Sequence, residues 1–238
     1  MISRTIVRLG AQSIFGRWRG LLLFLLPLVL LALSVLVRIL VGEDETGARH
    51  TLYGLGMVVI VPLVALLATS GLLAPEIDDG SISYLLAKPI SRHTIVGSKL
   101  VVAVTCVLVF GAVPMLLAGL VLRTDAPFVG VGFAVGSLVG GAAYCSVFAL
   151  LSVMNRHAVV IGLIYLLIWE GLLGGLLDGV RWLSITRWSG ALVGEIADVS
   201  LVDDLPLTYA VIATAVAIGV GAWLTGHRLR AFNLTGDE

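Results

Sequence analysis

Charge is what this sequence has least of. Only 13% of its 238 residues are charged, whereas an ordinary soluble domain has about 25%. Hydrophobic residues make up 59%, and the mean hydropathy is +1.08. Those figures exclude a water-soluble core as the main solvent environment. The 15 Lys and Arg are balanced by 15 Asp and Glu. No basic excess remains to neutralise phosphates, which excludes a nucleic-acid partner. Cysteine is scarce as well. Cys106 and Cys145 both lie inside apolar runs, without metal-ligand spacing, and read as small buried hydrophobes.

Lysine is scarcer than arginine, and its contexts are informative. Lys88 follows Ala87 and Lys99 follows Ser98. A loop that cradles nucleotide phosphates ends in Gly-Lys-Ser/Thr, so no such loop exists in this chain. A His-Glu-x-x-His zinc site is also missing. His50, His93, His157 and His227 lie in or beside loops, away from any serine within an apolar run, and Glu170 is the one acid inside such a run. A nucleophile and its base must be within hydrogen-bond reach, so no catalytic residue, metal ligand or cofactor is expected here.

What the chain does have is long apolar runs. A helix needs roughly 20 apolar residues to cross a hydrocarbon core of about 30 Å. Six segments meet that length: Leu21–Val41, Leu52–Ala74, Leu100–Leu122, Phe128–Met154, Ala158–Leu177 and Leu207–Gly226. Backbone groups in lipid must bond within their own segment, so these are helices. The first run is too long for a signal peptide and lacks a small-residue cleavage site. The expected fold is all-α and integral to the membrane, with residues 1–238 forming one domain. Three stretches outside the spans are patterned. Residues 1–20 place Ile2, Ile6 and Leu9 at helical spacing beside Arg4 and Arg8, which suggests an interfacial helix. Residues 75–99 form a loop between spans two and three. Residues 178–206 carry Trp188, Leu192, Ile196 and Val199 as a stripe, read as a short amphipathic helix resting in the outer interface.

Lys and Arg set the orientation. With the N-terminus inside, the inner side holds Arg4, Arg8, Arg17, Arg19, Lys88, Arg92, Lys99, Arg156, Arg228 and Arg230. The outer side holds half as many: Arg38, Arg49, Arg123, Arg181 and Arg187. Acids dominate the outer loops. Both termini are therefore expected in the cytoplasm. Arg38, three residues from its span end, is placed to snorkel to headgroups.

The loop reads Glu-Ile-Asp-Asp-Gly-Ser-Ile-Ser-Tyr-Leu-Leu-Ala-Lys-Pro-Ile-Ser-Arg from Glu76 to Arg92. Gly80 suits a helix stop. Ile82, Leu85 and Leu86 mark one face of a short helix that Pro89 breaks. Ser91 suits the N-cap of a new helix running through Lys99 into the third span. This pattern resembles the loop of permease subunits of type-two ABC exporters, at Glu76, Gly80, Ser81, Leu85, Leu86, Pro89, Ile90, Ser91, Arg92, Gly97 and Lys99. Asp79 departs from it, since a basic residue commonly precedes the glycine there.

The resemblance implies a cytoplasmic coupling helix between spans two and three. It implies docking of separate ATPase subunits, which would bind ATP and Mg, and a second permease copy, identical or homologous, at the cell membrane of a prokaryote. A non-transporting ABC assembly that moves an extracytoplasmic partner is the main alternative, and a stand-alone secondary carrier is a further one. The outer loops, at most about 30 residues, are short for an independent domain.

Two further features stand out. Glu170 lies twelve residues along the fifth span, roughly 18 Å from its inner end. A carboxylate at that depth either lines the substrate path or packs against a nearby hydroxyl or Arg181. Gly132, Gly136 and Gly140 repeat every four residues in the fourth span, as helices in close contact require. They read as packing within one subunit or, less simply, as a dimer seam.

Overall fold

The computed structural model describes residues 18–78, 92–155, 157–173, 178–202 and 204–231. Among these residues every regular element is helical. Helix α1 spans Trp18–Val41. Helix α2, Glu45–Arg49, runs into a π-helical stretch, His50–Ile60, and then into α3, Val61–Asp78. Helix α4, Arg92–Val107, passes through a second π stretch, Leu108–Ala112, into α5, Val113–Leu122. Helix α6 is the longest, Pro127–Met154. Helix α7, Ala158–Ile164, continues as a third π stretch, Tyr165–Leu173. Two short helices follow, α8 at Asp178–Arg181 and α9 at Ile185–Ala197, before α10 at Leu207–Ala231.

Five of these helical runs are long and apolar enough to cross a membrane: Gly20–Val41, Glu45–Leu72, Thr94–Leu122, Pro127–Met154 and Leu207–Leu229. The fifth expected span is represented by a shorter apolar helix, Ala158–Leu172. Two helices start ahead of their apolar runs for local reasons. The second run begins at Glu45 instead of Leu52, because Asp44 is an N-cap whose carboxylate accepts from the Gly47 N–H at 2.7 Å. The third apolar run is preceded by a helical polar turn, Arg92–Lys99, as the N-cap signal at Ser91 implies, so that helix starts at Arg92 and not at Leu100.

Helix α6 is the hub of the bundle. Helices α3, α5, α9 and α10 all pack on it. The core is built from Phe133, Tyr144, Phe148, Leu66 and Met115, all essentially inaccessible. Helices α1 and α10 are peripheral, with only 28% and 17% of their apolar windows buried. Leu28, Ile39, Ile212 and Val216 point outward from them. Such faces suit lipid, in which exposed Leu and Ile cost nothing. Arg38, at the end of α1, is part of a polar cluster. It pairs with Glu43 at 2.5 Å and lies 3.5 Å from the Thr124 hydroxyl, which itself bonds Glu43.

Helix α9 is where the fold adds most to the expected layout. It was expected to rest in the outer interface, and the structure packs it closely against α6. A methyl placed on Gly132 would stand 2.9 Å from the Ala197 Cβ, and one on Gly140 would stand 2.8 Å from the Ser189 Cβ. One on Gly136 would collide with Val193. The three glycines therefore form a groove filled by Ser189, Val193 and Ala197, and the two helices run antiparallel. Gly140 is roughly 20 Å along α6 from Pro127 at 1.5 Å per residue, so the N-terminus of α9 lies near mid-bundle. The apolar stripe is split accordingly. Trp188 is buried, Leu192 is half-buried and Ile196 is 37% exposed.

Candidate functional site

Two places in the fold bear on function. One is the base of the 75–99 loop. Gly80, Ser81, Leu85, Leu86 and Pro89 lie outside the described residues. Glu76 belongs to the last turn of α3 and Arg92 opens α4. Lys99 is fully described. It is buried, and its ammonium donates to the Leu72 carbonyl at 2.7 Å. An ammonium has no acceptor capacity and is costly to bury alone. Anchoring it on the backbone of α3 meets that cost and ties together the two helices that frame the loop. Below this tie, Val96, Val153 and Leu229 bring α4, α6 and α10 together in a small apolar cluster.

The second place is the N-terminus of α9. A helix start leaves N–H groups without intrahelical partners, and inside a bundle water cannot supply them. Here two side chains do so. Ser184 is the N-cap, accepting from the Arg187 N–H at 3.3 Å. Glu170, from the third π stretch, accepts the Ile185 N–H at 2.9 Å through one carboxylate oxygen and the Ser184 hydroxyl at 2.5 Å through the other. A carboxylate at this end also meets the positive pole of the helix dipole. Of the partners raised for Glu170 from sequence, a hydroxyl is present, and it belongs to Ser184.

Polar contacts extend around this point. The Tyr144 and Thr186 hydroxyls share a buried bond of 2.7 Å, joining α6 to the first turn of α9. The Trp182 carbonyl, just before the cap, accepts from both the Trp188 indole at 2.7 Å and the Tyr209 hydroxyl at 3.0 Å. Arg187 pairs with Asp204. An aromatic series, Tyr144, Phe148, Tyr165 and Trp169, runs from α6 onto the fifth helical run with ring separations of 5.7, 6.2 and 6.4 Å.

A cavity of about 190 Å³ opens here, lined by Tyr53, Val58, Glu170, Gly171, Thr186 and Arg187 together with Ser184. Two of its walls are π-helical, since Tyr53 and Val58 belong to His50–Ile60 and Glu170 and Gly171 to Tyr165–Leu173. Wide turns of this kind recur at functional sites because they break the regular side-chain register. Sequence reasoning singled out Glu170 but not Tyr53, Tyr144, Ser184, Thr186 or Arg187. Ser184 had a readable signal, a hydroxyl immediately before an apolar-periodic run, which marks a helix start. The others are joined only by tertiary packing. Among the described residues no group of three or more His, Cys, Asp or Glu is placed to hold a metal ion. Cys106 and Cys145 are free and buried.

The bundle therefore has a periphery of exposed apolar helix faces, an inserted helix, a polar site at the start of that helix and a loop base tied by a buried lysine. The family model described as "ABC-2 family transporter protein" matches residues 4–228. The chain belongs to the ABC-2 transporter family. The match takes in every helix from α1 to α9, the loop and nearly all of α10. No curated protein matches the chain. As an ABC-2 family protein it is a multi-pass membrane permease subunit, a class that is generally not itself catalytic.

Proposed function

We propose that this ABC-2 permease is the membrane-spanning half of an ATP-driven exporter, dimeric, seated over separate ATPase subunits that bind ATP and Mg. In this reading six segments cross the cell membrane of a prokaryote. Residues 1–20 lie along its inner face, and both termini are cytoplasmic. The acidic end of the bundle, with Glu43, Glu45 and Asp204, faces outward. The loop helix around Leu85 and Leu86 docks in the ATPase, with Glu76, Gly80, Ser81, Pro89 and Arg92 shaping its ends. The observation that carries the reading is the Lys99–Leu72 tie. A push delivered to the loop meets two helices joined at their base, and α3 and α4 both pack on the hub α6, which gives the push a route into the bundle. Export is preferred to work on an extracytoplasmic partner because the outer loops are short for an independent domain and a cavity of about 190 Å³ opens beside Glu170. The substrate path passes that cavity.

The test is purification of the chain from its native host. It should bring down a nucleotide-binding subunit, show no ATP hydrolysis alone, and lose the partner when Leu85 and Leu86 are both replaced by Asp. Retention of the partner and of coupled transport by that double variant overturns the coupling role. Cysteines at Thr46 and Ser200 should react with an impermeant maleimide from outside intact cells, and one at Ser91 should not.

A further inference from the structure

The fifth helical run and the inserted helix α9 meet at the cavity, and they are held there by different means. Helix α9 is keyed into the glycine groove of α6. Among the described residues, the main backbone neighbours of the π stretch Tyr165–Leu173 are its own continuations, α7 and α8. Its outward residues Leu167, Ile168 and Leu172 are 72%, 48% and 55% exposed. Gly171 adds no side chain, and a methyl there would touch only the carbonyl of Leu166 in its own turn. Toward the bundle the stretch offers the Tyr165 ring, the Leu166 side chain and the Glu170 carboxylate. That carboxylate makes two hydrogen bonds across the cavity edge to the first residues of α9, and the Tyr144 hydroxyl of α6 stands close to it as well.

We infer that Glu170 is a positioning residue for transport. By capping the N-terminus of α9 it fastens the outer half of the fifth helical run beside the cavity bordered by Tyr53, Val58 and Arg187, which is already open on one side, and release of this cap widens it. The inference rests on the exporter reading for its meaning in a transport cycle, but the fastening itself does not require an ATPase. Glutamine at position 170 keeps an acceptor for the Ile185 N–H and a polar contact with the Ser184 hydroxyl. Alanine keeps neither. A residue acting only as a cargo contact would give the opposite order, with Gln already defective and cavity access unchanged in both.

The experiment uses the full chain in intact cells, with Cys106 and Cys145 replaced by Ala and a single reporter, Val58→Cys, in the cavity wall. Labelling by an impermeant maleimide is timed. Glu170→Ala should raise the rate about tenfold, the effect of losing a charged hydrogen-bond acceptor, and Glu170→Gln should stay within about threefold of the parent. A second variant keeps the test independent of how well the Glu170→Ala variant folds. Ser184→Ala removes the hydroxyl that bonds the carboxylate and leaves Glu170 in place. It should also raise labelling at position 58, by less than Glu170→Ala does, because the Ile185 N–H still bonds the carboxylate. Equal labelling of Glu170→Ala, Ser184→Ala and the parent overturns the inference. Failure to co-purify an ATPase would overturn the exporter reading and leave these labelling results standing.

Discussion

Helix α9 and the fifth helical run are both too short to be one of the five long spans, yet the fold holds them in contrasting ways. Helix α9 is held by shape. Ser189, Val193 and Ala197 fill a trough left by Gly132, Gly136 and Gly140, and the contact is backbone-close along three turns. The inner half of the fifth run is packed on α3 and α6, with Gly162 closed against Leu66, but its outer half is held by Leu166, by an aromatic contact of Phe148 with Tyr165, and by the Glu170 cap. Without a hydrophobic drive between helices in lipid, close packing is what remains to hold them. Steric keying has one solution and does not open in part. A cap of two hydrogen bonds can break and re-form at moderate cost. The comparison suggests a division of labour, with α9 as the fixed wall of the cavity and the outer half of the fifth run as its movable one.

The contrast breaks most severely at the groove. Gly132→Leu places a large side chain where Ala197 and the Val193 carbonyl already stand, and neither is the far end of a flexible chain. Overpacking of this kind costs about 3 kcal/mol. Thermal unfolding in detergent should show it as a large fall in midpoint or loss of the folded protein. Gly219→Ala is the control. Position 219 on α10 has open space around it, so added helix propensity should leave stability unchanged or raise it by up to about 1 kcal/mol. Equal behaviour of the two variants would remove the argument for keying.

The next effect is at the movable wall. Glu170→Leu leaves the Ile185 N–H and the Ser184 hydroxyl without their acceptor, a loss of about 1.5–3 kcal/mol. Glu170→Gln should cost less than half of that in the same unfolding measurement. If Gln proves as damaging as Leu, charge against the helix dipole is what holds the fifth run, and the cap is mainly electrostatic. If both are silent, the aromatic series and Leu166 carry the contact.

A smaller and more diagnostic effect is expected at the loop base. Lys99→Met keeps most of the side-chain volume and removes the bond to the Leu72 carbonyl. Stability should fall by about 1 kcal/mol, the net worth of one such bond. Coupling should suffer more. ATP hydrolysis by the assembled complex should persist while transport falls, because the two helices above the loop no longer move together. Proportional loss of both activities would mean that Lys99 supports the fold alone.

These expectations also mark how far the sequence could be read. Five of the six apolar runs reappear as helices long enough to cross a membrane, because apolar length alone selects a helix in lipid. The start at Glu45 was missed although Asp44 is an ordinary N-cap, because attention to hydropathy hides polar turns that are already helical. Glu170 was visible as an acid in an apolar run. Its partners were not, since Tyr144, Thr186 and Ser184 meet only through the insertion of α9. That insertion was itself encoded. The spacing of Gly132, Gly136 and Gly140 announces a close contact, and Ser189, Val193 and Ala197 repeat at the same interval. The stripe of larger residues, Trp188, Leu192 and Ile196, drew the reading to the wrong face, because a helix in a glycine groove buries its small residues first.

The smallest effect sharpens the same contrast at the turn between α5 and α6. There Gly119 meets the Gly130 backbone directly, a steric contact, while Arg123 and Asp125 form an ion pair at 3.0 Å nearby. The hydrogen bond from Arg123, and then its charge, hold the Asp125 carboxyl below the usual carboxylate range. The same pairing raises Arg123. A lowered folded value means that the pair's contribution is fully present above the ordinary carboxylate range, and it is lost as pH falls through the lower, folded value. Asp125 is fully open to solvent, so screening keeps the contribution small. Asp125→Asn should lower the unfolding midpoint slightly at pH 7. The gap to the parent should shrink as pH is brought down past the carboxylate range, and at neutral pH it should also shrink in high salt. Gly119→Ala should cost far more at every pH and salt concentration, because a methyl against the Gly130 backbone does not titrate. A gap for Asp125→Asn that persists in acid would show that the side chain acts through turn geometry instead of charge. The turn would then belong with the keyed contacts of the molecule and not with its polar ones.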